Sequence, residues 1–215
     1  MGCLKKSLDY YISMKFSIII TCYDREKFIS RCIRSALHQS GIDRSSYEVI
    51  VVDDMSRDNS RKIINEFNNI IKIIQNKKNF GLSYSRNRGI KVSKGKYVLI
   101  LDSDDYISEY FLKFMGSFLD FNKNWDAVAS DYITVNINGK FIKRYSFKKE
   151  PIACGILYRK ETMIKTGLYN KKMRYLEDKD FRDRYLKKFN VNVVELPLYR
   201  YTKHKNSLTG KFKIK

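Results

Sequence analysis

The chain has 215 residues, 43% hydrophobic and 31% charged, the balance of an ordinary globular domain able to bury a substantial core. Two prolines and ten glycines exclude collagen-like and proline-rich architectures. Lys and Arg number 43 against 23 Asp and Glu, a net charge of +20, a field that attracts nucleic acid, anionic headgroups or phosphorylated substrates. A dispersed lysine excess beside many Ile and Asn is also what genomic base composition alone produces. The four cysteines form no CxxC pair and have no histidine at metal spacing, which argues against a zinc site or a disulfide framework. They fit reduced, buried thiols. No apolar run approaches the roughly 18 residues of a membrane span, so the expectation is a soluble or peripheral protein on the cytoplasmic side.

Residues 1–15 lack a clear period and read as an N-terminal extension. Phe16–Thr21 is a continuous apolar run, a buried first strand. A helix is expected over 26–39 from the spacing of Phe28, Ile29, Cys32, Ile33, Ala36 and Leu37, with Gly41 as its C-terminal cap. Tyr47–Val52 is a second strand that runs into Asp53-Asp54. Ser56 or Asp58 can cap the next helix, and a short strand over 70–75 follows. A helix over 83–92 carries Arg86, Asn87 and Arg88, and Tyr97–Leu101 is a fourth strand. Strands alternating with helices at this spacing predict an α/β fold with a parallel sheet whose strand ends share one edge.

That edge is acidic. The fourth strand ends in Asp102-Ser103-Asp104-Asp105. Alternation along an extended backbone predicts Asp102 and Asp104 on one side and Asp105 on the other. Close carboxylates need a compensating cation, and Mg²⁺ or Mn²⁺ held by one or two carboxylates plus substrate phosphates meets that need. The alternative is a solvated acidic turn that caps the following helix. Further on, a helix is expected over 109–121, a strand over 125–131, and a β-ribbon over 132–147 turning at Asn138-Gly139. A strand over 152–158, a short helix 160–166 ending at Gly167, a helix 177–188 and a strand 191–195 stopping before Pro197 complete the order. The tail 199–215 reads as basic and irregular.

The set Ser17-Ile-Ile-Ile-Thr21-Cys-Tyr23, Val51-Val-Asp53-Asp54-Met-Ser56, Arg86-Asn87-Arg88-Gly89, Leu101-Asp102-Ser103-Asp104-Asp105, Gly167-Leu-Tyr-Asn170, Leu176-Glu177-Asp178 and Tyr199–Ser207 resembles, in order and spacing, the family-2 glycosyltransferases. The resemblance covers about residues 16–209. It implies a Rossmann-like GT-A fold: a mostly parallel central sheet flanked by helices, with a small antiparallel ribbon on the acceptor side. It divides the chain into a nucleotide-binding half (16–105), an acceptor half (106–209) and a basic tail (210–215). It also implies inverting transfer of one sugar from a nucleotide donor to a glycan or lipid-linked acceptor, in surface polysaccharide or glycoconjugate synthesis.

By the same resemblance, Thr21 and Tyr23 contact the base and Asp53 accepts from its imide N–H, which favours UDP-sugars. Arg86 meets the nucleotide or its phosphates, Asp102 the ribose, and Ser103 the nucleotide sugar. Asp104 holds the divalent ion (Mn²⁺ or Mg²⁺), His204 supplies a metal or diphosphate contact, and Asp178 is the general base. Asp105 is left as a helix cap or a carboxylate behind the metal ligand. Plainer readings accompany these: a tyrosine at a strand end, a solvent-facing Arg86, acids complementing a helix N-terminus at Glu177-Asp178, and a surface His204. His38 has no evident chemical partner. The chain stops soon after this tail, without the long C-terminal segment of processive synthases, so single transfer is expected rather than polymerisation. The basic tail is expected to dock on anionic membrane.

Other classes fit less well. A nucleic-acid-binding protein needs a recognisable module with clustered basic and aromatic residues, so no specific nucleic-acid partner is expected. A nucleotidyltransferase needs a glycine-rich phosphate loop where this chain has Cys22-Tyr23-Asp24-Arg25. A non-catalytic nucleotide-sugar-binding protein of the same fold is a further reading.

Overall fold

The computed structural model describes residues 14–204. The expectations for the extension before residue 14 and for the basic tail after 204 lie outside the described residues. The elements are β1 (Phe16–Cys22), α1 (Ile29–Leu37), β2 (Tyr47–Asp53), α2 (Ser60–Asn65), β3 (Lys72–Gln75), α3 (Leu82–Val92), β4 (Tyr97–Asp102), β5 (Tyr106–Ile107), α4 (Phe111–Phe121), β6 (Ala127–Val135), β7 (Phe141–Tyr145), β8 (Ile156–Arg159), α5 (Lys160–Thr166), α6 (Glu177–Leu186) and β9 (Val191–Thr202).

They build one nine-stranded sheet in the order β3-β2-β1-β4-β8-β6-β9-β5, with β7 paired to β6. β1, β2, β3 and β4 are mutually parallel, and β8 runs against both β4 and β6. β6 therefore runs with β4, and β9 lies parallel to β6. The chain winds one way from β1 to β3 and the other way to β4, so the crevice beyond the carboxyl ends of β1 and β4 is where an open α/β sheet binds ligands.

The apolar runs of β1, β2 and β4 are continuous because helices cover both faces. Ile18, Ile20, Val49, Val51, Leu99 and Leu101 pack against α1, α2 and α4. Their neighbours Ile19, Ile50, Val52, Val98 and Ile100 pack on the other face with Ile90 of α3, Met163 of α5 and Phe181 and Tyr185 of α6. The alternation carries Thr21 and Asp102 onto the α3 side of the sheet at its edge.

Gly89 sets how close α3 comes. A β-carbon there would lie 2.3 Å from Ile19 Cγ2, and Ile19 is fully buried. Gly89→Ala gains at most about 1 kcal/mol of helix propensity against about 1–3 kcal/mol of overpacking. Net destabilisation, read as a lower urea midpoint, is expected; unchanged stability would show that α3 does not press on β1.

Several boundaries differ from the sequence expectation. Helix α1 starts at Ile29 rather than 26; the residues before it form a turn held to the next loop by Arg25 N–H to Ser60 Oγ (2.8 Å) and Glu26 N–H to Asp58 Oδ2 (2.9 Å). It ends at Leu37, and Gly41, with φ 72°, turns the chain beyond it instead of capping it. Pro197 does not end the last strand. It sits where the β6–β9 register shifts between Ser130 and Tyr132, a bulge in which a residue without N–H costs no ladder bond. Tyr199–Thr202, expected to be irregular, is therefore strand, and β6 runs unbroken from Ala127 to Val135 before the expected ribbon turn, where Gly139 has φ 80°. Cys22, Cys32 and Cys154 are buried free thiols, as expected. Among the described residues no helix is long and apolar enough to cross a membrane.

Candidate active site

Strand register assembles the edge expected to meet the nucleotide. Thr21 lies beside Asp102, and Cys22 beside Asp53. Thr21 is buried, and its Oγ1 has no hydrogen-bond partner among the described residues. Tyr23 follows, partly exposed, in the loop after β1. This loop is bonded to the β2–α2 loop by Asp24 N–H to Ser56 Oγ (3.2 Å) and Arg57 N–H to Asp24 Oδ1 (2.7 Å), so the two loops form one rim. Asp53 is buried, and its Oδ1 closes the turn by accepting from Ser56 N–H at 3.1 Å. Asp54 accepts from Asn76 Nδ2, Phe80 N–H and Gly81 N–H. It anchors the entry to α3.

The alternation expected for the three acids fails after Asp102, because the chain turns there: Asp105 N–H donates to the Asp102 carbonyl at 3.0 Å. Each carboxylate then finds different company. Asp102 pairs with Arg86 Nη2 at 2.9 Å. Asp104 Oδ2 lies 2.8 Å from His204 Nε2 and 3.6 Å from Arg25 Nε. Burial works to raise the Asp104 carboxyl, but the His204 contact and the Arg25 charge outweigh it and hold it below the usual range. Asp105 caps no helix: it accepts from Tyr199 OH (2.8 Å) and Thr202 N–H (2.7 Å), fastening β9 to the end of β4. Ser103 is buried between Asp102 and Asp104.

Arg86 is the centre of the arrangement. It is 2% exposed, so it is not the solvent-facing helix arginine of the plainer reading. Nη2 meets Asp102, while Nη1 meets Glu177 at 3.3 Å and also Asp178. Tyr169 lies beneath the guanidinium, 5.1 Å from ring centroid to Cζ. One cation thus joins the end of β4 to the first turn of α6. The rest of its motif holds it in place: Asn87 clamps the Tyr169 backbone through both its amide atoms (2.7 and 3.0 Å), Arg88 donates to the Gln75 carbonyl at 3.0 Å, and Gly89 admits β1. Leu176, at φ 58°, turns the chain sharply into Glu177, a left-handed conformation that costs a β-carbon about 1–2 kcal/mol.

Asp178 experiences opposed influences. Burial raises its carboxyl most, Arg86 lowers it, Asp102 and Glu177 raise it again, and the balance is a pKa of about 7. With 28% of its side chain open, it can reach a ligand. A carboxyl poised near neutrality at a crevice is suited to general base work.

A divalent ion fits part of this donor set. In an octahedral shell with bonds of about 2.1 Å, adjacent donors lie about 3 Å apart, matching the separation of Asp104 Oδ2 and His204 Nε2. Among the described residues Asp102, Asp105 and Cys154 also lie together, with donor atoms within 4.8 Å. Asp105 already accepts two protein hydrogen bonds, and burial foremost keeps the Cys154 thiol protonated. That trio suits a hard ion poorly.

A sequence profile described as glycosyl transferase family 2 matches residues 17–184. The chain belongs to glycosyl transferase family 2. Poly(ribitol-phosphate) beta-glucosyltransferase of Bacillus spizizenii is 36% identical over 141 residues, covering 63% of this chain and 22% of that protein. Poly(ribitol-phosphate) beta-N-acetylglucosaminyltransferase TarS of Staphylococcus aureus is 33% identical over 142 residues, 63% of this chain and 24% of that one. The chain thus spans about a quarter or less of the length of these two relatives. The structure of S. aureus TarS 1–349 in complex with UDP-GlcNAc superimposes with a TM-score of 0.80 at 27% identity, covering 94% of this chain and 62% of the other. A Pyrobaculum calidifontis mannosyltransferase in complex with GDP-Man and Mn²⁺ shares the fold, with a TM-score of 0.71 at 13% identity over 90% of this chain and 58% of its own. The GT-A architecture expected from the motifs is the one observed.

The family 2 site contains partners that sequence reading did not assign. Arg25 stands at Asp104, and Phe28 stacks on His204 with centroids 4.6 Å apart. Tyr199 and Thr202 hold Asp105, and Cys154 lies among the acids. The only signal available for Arg25 was its place in the loop after the first strand. The contacts of Phe28, Tyr199 and Thr202 depend on β9 carrying the chain to the site edge, which the proline had concealed.

Proposed function

We propose that this chain transfers a single sugar from a UDP-sugar to a hydroxyl of a glycan or lipid-linked acceptor, with inversion, in the synthesis of a cell-surface polymer. The observation that carries the reading is Asp178, a carboxyl near neutrality joined through Arg86 to the nucleotide edge at Asp102. The complexes of TarS with UDP and UDP-GlcNAc support the choice of donor. Free buried thiols are compatible with a reducing cytoplasm.

Thr21, Tyr23 and Asp53 receive the base, and Asp102 and Ser103 receive the ribose and the first phosphate. Asp178 removes the acceptor hydroxyl proton as that oxygen attacks the anomeric carbon. The bond from that carbon to the diphosphate breaks, and its electron pair leaves with UDP. Asp104 with His204 would hold a divalent ion whose charge offsets that of the leaving diphosphate, and Arg25 adds a fixed positive charge beside it.

A thermal-shift panel of nucleotides and nucleotide sugars, with and without Mn²⁺, tests the reading. Ligand at about 100 times Kd contributes about 2.7 kcal/mol, a rise of roughly 5–10 °C for a chain of this size. UDP-sugars should give the largest rise, and Asp104→Ala should lose the Mn²⁺-dependent part. A larger shift with another base would overturn the UDP assignment, and a flat panel the reading as a whole.

A further inference from the structure

Two segments that the transfer chemistry leaves unused meet beside the start of α6. They are residues 76–84, leading into α3, and 169–176, leading into Glu177. Ser83 Oγ donates to the Met173 carbonyl at 3.3 Å, and Arg174 Nη1 donates to Asn79 Oδ1 at 3.2 Å. Arg174 lies so close over Gly81 that a β-carbon there would sit 2.8 Å from Nη1. The rings of Phe80 and Tyr84 stack with centroids 4.3 Å apart. Lys78 Nζ stands over Phe80 at 5.2 Å and Lys171 Nζ over Tyr84 at 5.8 Å. Lys78, Lys171, Lys172 and Arg174 are exposed, and neither segment contains a carboxylate.

We infer that this platform binds an acceptor polymer with repeated phosphodiesters between polyol or sugar units and leads its hydroxyl to Asp178; the inference rests on the glycosyl-transfer reading above. The charge has a single sign, so the four cations reinforce one another as a track for a polyanion. Three of them have side-chain contacts that favour this placement: the aromatic pair supports the Lys78 and Lys171 ammonium groups by cation–π contact, and Asn79 orients the Arg174 guanidinium. Arg174 precedes Asp178 by four residues, on the segment that leads into α6. The stacked pair also selects among polyanions. Each ring is stacked on its partner and has an ammonium within 6 Å of its centroid, which reduces the ring surface on which a nucleobase can stack. Phosphate is what the platform offers to recognise.

The test measures binding of a fluorescent synthetic ribitol-phosphate oligomer by anisotropy, without donor, beside oligodeoxythymidylate with the same number of phosphates. The wild type should bind the ribitol-phosphate oligomer more tightly, with affinity falling steeply as salt rises. Lys171→Glu/Lys172→Glu, and separately Lys78→Glu, should each bind it about tenfold more weakly or worse, as expected when phosphate contacts are lost. In transfer assays the oligomer KM should rise with kcat kept, and the thermal shift from UDP-sugar should stay as in the wild type. Wild-type affinity in both variants would overturn the inference, as would equal or tighter binding of oligodeoxythymidylate. Oligomer binding at these lysines with no UDP-sugar shift would instead strike the donor reading and leave the platform standing.

Discussion

Asp178→Asn is expected to keep the donor-induced thermal shift of the wild type and to lower kcat by roughly 10²–10⁴-fold, the usual contribution of a positioned general base. The substitution keeps shape and an acceptor oxygen for Arg86, so the lost feature is the ability to take a proton. The pH profile gives a second readout. With a pKa of about 7, Asp178 is protonated and inactive below neutrality, and kcat/KM should climb through pH 7 to a plateau above it. The sign for stability is opposite. The unfolded carboxyl ionises near 4, so between about pH 4 and 7 the folded state binds the extra proton and this group's contribution falls as pH rises. Turnover like the wild type in Asp178→Asn, or a rate independent of pH from 5 to 8, would remove Asp178 from the role of base.

Arg86→Met is expected to be the most destabilising single change at the site. It leaves Asp102, Glu177 and Asp178 facing one another without their shared cation, and uncovering one side of a buried ion pair costs about 3–5 kcal/mol. Against a total stability of about 5–15 kcal/mol, that loss should be plain in a urea midpoint. Arg86→Lys should recover only part, because a point charge cannot span the two sides that Nη1 and Nη2 reach. Loss of the guanidinium also raises the Asp178 pKa further, moving the activity profile to higher pH. In the double variant Arg86→Met/Asp178→Asn, one uncompensated charge has gone, so the two losses should fall short of additivity by about 0.5–3 kcal/mol. Strict additivity would mean that the two groups do not interact.

The C-terminal half of the chain explains why part of this site was hidden in the sequence. Its ribbon was legible from Asn138-Gly139, because a two-residue turn signal is local. The late strand was not. Pro197 ends a strand by every local rule, yet the β6–β9 bulge absorbs it, and only then do Tyr199, Thr202 and His204 arrive at Asp105 and Asp104. Glu177-Asp178 was visible as an acidic pair at a helix start. Its partner was not, because Arg86 lies 92 positions away from Asp178 and nothing in its own turn of α3 distinguishes a buried from an exposed arginine.

What the sequence alone determined was the layering and the edge. Continuous apolar runs of five to seven residues, separated by helical periodicity, force a parallel sheet covered on both faces, and each run ending in Thr21, Asp53 or Asp102 puts those groups at one rim. Backbone propensity and hydrophobic burial act over a few residues, so they are readable from a few residues. The tertiary structure decided which charges meet. The turn after Asp102 sent Asp102 to Arg86, Asp104 to His204 and Arg25, and Asp105 to the backbone of β9. Such pairings are set by register, helix approach and burial, and desolvation then turns an ordinary aspartate at 178 into a carboxyl that titrates near neutrality.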